Sequence, residues 1–251
     1  PWKNFLEDAV DRTDPVSMEM LKKAFSLAEK RLSEKKNRSI TEVITNEVSS
    51  IGGHEGLVNA VIARALYDVF PCRLAIKTEH KRIDICLMNE DREIVVAVEG
   101  KMMVSNSTKC AIKNSIDVQG IDVKLNSVTN SVKKDINNIH KKIGKLVDRY
   151  EIFVPIVYEL YRTGGENDWT KRKKPWTTLP KLKSVRKGLV KDFAQWFKEE
   201  DNSIELIHAT EPIELRDANK LWLEQSRWMY PKYKSLEAYV SFFAFGRLVK
   251  T

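Results

Sequence analysis

Hydrophobic and polar positions change period several times along this chain. In VSMEMLKKAFSLAEKRLSEKK, residues 16–36, Met18, Leu21, Phe25, Ala28 and Leu32 fall on one stripe at helical spacing. Asp14-Pro15 just ahead of it reads as an N-cap followed by proline at the first helical position. Ser39 and Glu42 form a capping-box pattern before VITNEVSSI, and Gly52-Gly53 ends that helix. A further helix, HEGLVNAVIARALYDVF, stops before Pro71 and turns Leu57, Val61, Ala65 and Leu66 inward.

From Cys72 the period becomes strand-like. CRLAIKTE, RIDICLM and EIVVAVEGK read as three short consecutive strands, the last two joined by a turn at Asn89-Glu90-Asp91. The unbroken run IVVAV marks a strand buried on both faces, near the centre of a sheet. Helical spacing returns in SVKKDINNIHKKIGKLVDRY, residues 131–150, with Val132, Ile136, Ile139, Ile143 and Leu146 or Val147 as its inner stripe. IFVPIVYELY, residues 152–161, is strand-like again, and Pro155 inside it points to an edge or a bulge.

Beyond Thr163-Gly164-Gly165 the pattern predicts an exposed basic loop, TKRKKPWTTLPKLKSVRK, then a helix, GLVKDFAQWFKEE, and a strand, SIELIHA. The final forty residues read as aromatic-rich and mostly helical. Helices, hairpin, strand, helix and strand in that order predict an α/β fold, a central mixed β-sheet flanked by helices. Residues 1–251 then form a single domain. Its parts are a helical N-terminal part (1–50), a core (about 51–165), and a basic loop with an aromatic-rich helical C-terminal part (about 166–251).

Composition narrows the class. A chain of 251 residues, 42% hydrophobic and 31% charged, can bury a substantial core. No apolar run approaches the roughly 18–20 residues of a membrane span. The cysteines Cys72, Cys86 and Cys110 are odd in number and show no CxxC spacing. His54, His80, His140 and His208 complete no zinc pattern. The expected setting is a reducing cytoplasm, without a structural metal.

Charge is unevenly placed. Residues 101–200 carry 21 Lys/Arg against 11 Asp/Glu, whereas residues 1–100 carry 15 against 17 and residues 201–251 carry 7 against 7. The positive excess therefore sits in the middle, as a face for a polyanion would.

The candidate chemistry lies on the strands. In VEGK, Glu99 and Lys101 are two apart and project from one face, with Val98 and Gly100 on the other. Asp84 lies on the neighbouring run, with Ile83 and Ile85 on its opposite face, so Asp84 can meet Glu99. Two carboxylates so placed repel unless a cation lies between them. Mg²⁺ takes one or two carboxylates and leaves its other positions to water and phosphate oxygens. The plainer reading is a solvated cross-strand pair, with Asp84 answering Arg82 or Lys101.

Asp84 followed by Glu99-x-Lys101 on the next strand resembles the PD-(D/E)xK nuclease superfamily, the restriction-endonuclease-like fold, over roughly residues 40–165. Ile83 stands where the motif's name has proline. The resemblance implies a Mg²⁺-dependent DNA endonuclease, with Mn²⁺ as a substitute, in which Asp84 and Glu99 bind metal and Lys101 positions or activates water. It also implies a further acidic residue from the preceding helix, Glu55 or, in second place, Glu47. Double-stranded DNA is then the partner. Lys171, Arg172, Lys173, Lys174, Lys181, Lys183, Arg186 and Lys187 are candidates for phosphate contact.

Asn and Gln side chains between Met102 and Val123 could read base edges or belong to an ordinary loop. His140 reads as a surface or packing residue. The C-terminal LWLEQSRWMYPKYKSLEAYVSFFAFG holds eight aromatics, read as core packing or a homodimer contact. A type II-like restriction enzyme is the first expectation. The alternatives are a nuclease of transposition, recombination or repair, and a non-catalytic DNA-binding protein on the same fold.

Overall fold

The computed structural model describes residues 16–34, 53–70, 75–80, 83–104, 125–143, 147–163, 179–214 and 235–251. Helix α1, Met18–Ser33, starts after Ser17, whose extended backbone lets its hydroxyl accept from the Met20 N–H at 3.3 Å. The cap is therefore Ser17, and the expected Asp14-Pro15 start lies outside the described residues. Leu21, Ala24, Phe25 and Ala28 of α1 are buried against α2, Gly53–Val69, along the predicted stripe. The helix expected over VITNEVSSI lies outside the described residues.

Strands β1 (Ala75–His80), β2 (Ile83–Met88) and β3 (Ile94–Val104) form an antiparallel meander. Between β2 and β3 the Asn89 carbonyl accepts from the Arg92 N–H at 3.0 Å, and Arg92 takes a left-handed φ of 63°. Helix α3 (Leu125–Ile143) then crosses to β4 (Arg149–Thr163), which pairs parallel to β3. Val132, Ile136, Ile139 and Ile143 are buried as the spacing predicts. The helix ends at Ile143, short of the expected 150, and the chain is already a strand at Arg149.

Helix α4, Leu179–Glu200, leads to β5 (Glu205–Ala209), β6 (Ile213–Glu214) and β7 (Ser235–Val249). The sheet order is β1-β2-β3-β4-β7-β5, with β6 also beside β7, seven strands among the described residues. Among the described strands every pairing is antiparallel except β3 with β4. Helices cover both faces. One core layer joins α1 and α2 to Ile85, Val96, Val98, Ile152 and Phe242. The other joins α3 and α4 to Cys86, Ala97, Phe153, Phe243 and Phe245. This is the α/β class with a mixed central sheet.

Three expectations need correction. The last described segment is a strand and not a helix. YVSFFAF is apolar at every position but one, and β7 is buried on both sides, with Phe242 and Ala244 facing one layer and Phe243 and Phe245 the other. Pro155 lies in an interior strand, not at an edge. Its missing N–H is absorbed by a gap in the ladder, which pairs Phe153 with Phe245 and resumes at Ile156 with Phe242. The second half of the basic stretch is helical from Leu179, with Pro180 in the first turn, where a missing N–H is tolerated.

Candidate active site

Strand β2 begins out of step. Ile83 packs with α3 and α4, while Ile85 packs with α1 and α2, so these two residues leave opposite faces of the sheet. The β2–β3 register runs from Met88 to Ile85, which pairs with Val98. One step further would set Asp84 opposite Glu99. There the side chain takes over from the ladder: the Gly100 N–H donates to Asp84 Oδ2 at 2.7 Å. Asn59 Nδ2, from α2, donates to the same oxygen at 3.1 Å. The Asp84 carboxylate thus rests on the peptide that joins Glu99 to Gly100.

Strand β3 is regular through this region, with an unbroken parallel register from Val96 to Val104. Val96 and Val98 face the α1/α2 layer and Ala97 faces α3/α4, so alternation sends Glu99 and Lys101 to the α3/α4 side. Glu99 is buried at 8% exposure, and Lys101 is half-buried. Val98 faces the core opposite Glu99, as expected. Gly100 faces α2, where a Cβ would stand 2.4 Å from Asn59 Oδ1 and 2.8 Å from Nδ2. Only glycine allows Asn59 so close to the strand.

The expected shared face for all three charges is therefore not what the fold gives. Glu99 and Lys101 share a face. Asp84 reaches the backbone between them from the α2 side, because Ile83 and Ile85 do not sit together on its opposite face. Glu55 lies in α2, four residues and about one turn before Asn59. Glu47 lies outside the described residues, as do Lys171, Arg172, Lys173 and Lys174. Lys181, Lys183 and Arg186 belong to α4, and Lys187 is exposed there. The polar stretch after Lys101 continues β3 to Val104; the rest lies outside the described residues.

Among the described residues no three His, Cys, Asp or Glu side chains gather into a metal cage. Asp84 and Glu99 carry hard oxygen donors of the kind Mg²⁺ or Mn²⁺ takes, Asp84 on the α2 side of β3 and Glu99 on the α3/α4 side; such cations complete their shells with water and phosphate. On the α3/α4 side, Lys134 and Lys141 of α3 and Lys187 and Lys191 of α4 are exposed. Lys133 is bound to Glu200 at 2.8 Å, tying α3 to the end of α4.

Sequence reasoning missed Asn59. Its signal was an amide inside the apolar face VNAVIARAL, a position where a polar side chain needs a partner. Among the described residues no helix is long and apolar enough to cross a membrane. No protein-family model matches the chain, and no curated protein or solved structure matches it.

Proposed function

We propose that this protein is a Mg²⁺-dependent DNA endonuclease on a restriction-endonuclease-like core, a type II-like restriction enzyme by class. One observation carries the reading: the Asp84 carboxylate of β2 docks on the backbone of a Glu99-Gly100-Lys101 triplet on β3. The resemblance implies a helix, a strand meander carrying the acidic motif, a helix and a further strand, and the order α2, β1–β3, α3, β4 supports it.

A divalent cation bound here would polarise a phosphate oxygen and acidify a water. The chain's own groups have separate tasks around it. Asp84, fixed by two hydrogen bonds on Oδ2, and Glu99, withdrawn from water, would each offer an oxygen donor where the start of β2 meets β3. Lys101 brings an ammonium to the Glu99 face, where it neutralises charge growing on the phosphate and orients the attacking water. Glu55 assists from α2. The exposed lysines of α3 and α4 and the basic stretch from Lys171 hold the DNA backbone. A homodimer would bring one such site to each strand.

Plasmid DNA incubated with Mg²⁺, beside an EDTA control, tests the reading. Cleavage should require the cation, and Asp84→Ala, Glu99→Ala or Lys101→Ala should each lower its rate by about 100-fold or more. Discrete fragments mark a restriction enzyme; cutting without sequence preference favours a role in transposition, recombination or repair. Wild-type cleavage by the Asp84→Ala protein, or cleavage indifferent to EDTA, removes the assignment. DNA binding with no cleavage at all leaves the non-catalytic alternative.

A further inference from the structure

Asn59 is 9% exposed and sits between the apolar neighbours Val58, Val61 and Ile62 of α2. A buried amide is costly unless both of its ends are hydrogen-bonded. Only one is. Nδ2 donates to Asp84 Oδ2, while Oδ1 is buried with no hydrogen-bond partner among the described residues. Turning the amide over would set its oxygen against a carboxylate oxygen, so the orientation is fixed by charge. Leucine has the same branched shape and would fill this position without an orphaned oxygen. Gly100 adds a second constraint, since any Cβ there would collide with the Asn59 amide. Two positions are thus shaped around one hydrogen bond to Asp84.

We infer that Asn59 is a positioning residue of the cation site: its Nδ2–H holds the Asp84 carboxylate in one orientation against the Gly100 N–H, so that the oxygen donor is in place before the cation arrives. The inference rests on the nuclease reading of Asp84 and Glu99 and adds a residue from α2 to it. Asn59 acts through Asp84 and needs no contact with cation or DNA. Partners of this kind, one step behind the ligands, change cation affinity by about 10- to 100-fold when removed. A packing residue changes stability instead.

Asn59→Leu separates the two roles. The full chain would be titrated with Mn²⁺ by calorimetry, and its unfolding by urea followed in EDTA. Removing the orphaned oxygen should leave the urea midpoint unchanged or higher. The Kd for Mn²⁺ should rise by about tenfold, the lower end of that range. If Asn59→Leu does not fold, Asn59→Ala with Gly100→Ala is read in its place: the new methyl group occupies the vacated space, and the same rise in Kd is expected. A folded variant of either kind that binds Mn²⁺ with the wild-type Kd overturns the inference. In that case the nuclease reading stands as long as Asp84→Ala abolishes Mn²⁺ binding. A wild-type protein that takes up no Mn²⁺ ends both.

Discussion

Glu151 is fully buried, and two guanidinium groups answer it. Arg149 donates to Oε1 through Nε at 3.0 Å and Nη2 at 2.8 Å, and Arg247 donates to Oε2 through Nε at 3.1 Å and Nη2 at 2.7 Å. Arg247 pairs with Glu151 across β4 and β7 and also binds Asp201 just beyond α4. Two positive and two negative charges of the described residues meet here. Breaking one partner of such a buried arrangement strands the others, so Glu151→Ala should destabilise by about 3–5 kcal/mol in urea unfolding. Replacing Arg149, Glu151 and Arg247 together by apolar residues should cost less than that single change. At this scale the sequence was partly legible. Asp84, Glu99 and Lys101 stand out because charge interrupts a strand pattern. Asn59 and the Glu151 group do not, since their roles depend on partners 25 and 96 residues away.

The β2–β3 turn shows how elements are set by backbone terms. Arg92 holds φ at 63°, where an L side chain crowds its own carbonyl at about 1–2 kcal/mol. Glycine would remove that strain but loosen the unfolded chain by about 0.4–1 kcal/mol. The difference favours Arg92→Gly by roughly 0.5–1 kcal/mol, readable as a higher urea midpoint at unchanged slope. A lower midpoint would mean that the Arg92 side chain contributes more than its backbone loses. The turn itself was legible, as were β3 at the interior of the sheet and the inner stripe of α3, because each is written in local period. β7 was not. A short apolar run carries no period that separates a buried strand from a buried helix. What decides is the sheet position between β4 and β5, which only the assembled fold supplies.

At the scale of the whole molecule, charge sets how the fold answers pH and salt. Burial works to raise the Asp201 pKa, but the Ser203 hydroxyl and amide, with Arg247, outweigh it and hold the carboxyl below its usual value. A pKa lower in the folded than in the unfolded chain adds stability above the unfolded value, near 3.9, that is lost as pH falls through the folded one. Asp201→Asn should therefore lower stability at neutral pH and flatten its acid limb below about pH 4. An unchanged limb would mean that Asp201 is not the group that anchors α4 to β7.

Salt probes the opposite property, charge left outward. Lys134 and Lys141 lie seven residues apart, two turns along the exposed side of α3, on the sheet face that carries Glu99 and Lys101. If this face takes the DNA backbone, each lysine that meets a phosphate releases about one counterion. Replacing both by glutamine should then weaken binding to every sequence alike and reduce the log–log salt slope by roughly 0.9 per contact, up to about 1.8. Base preference should stay the same, because phosphate contacts carry no sequence information. Filter binding or fluorescence anisotropy across a salt series, in Ca²⁺ to suppress cleavage, measures both quantities. A slope that does not move would place the DNA away from α3, and the positive excess of residues 101–200 would have to act through the stretch that begins at Lys171.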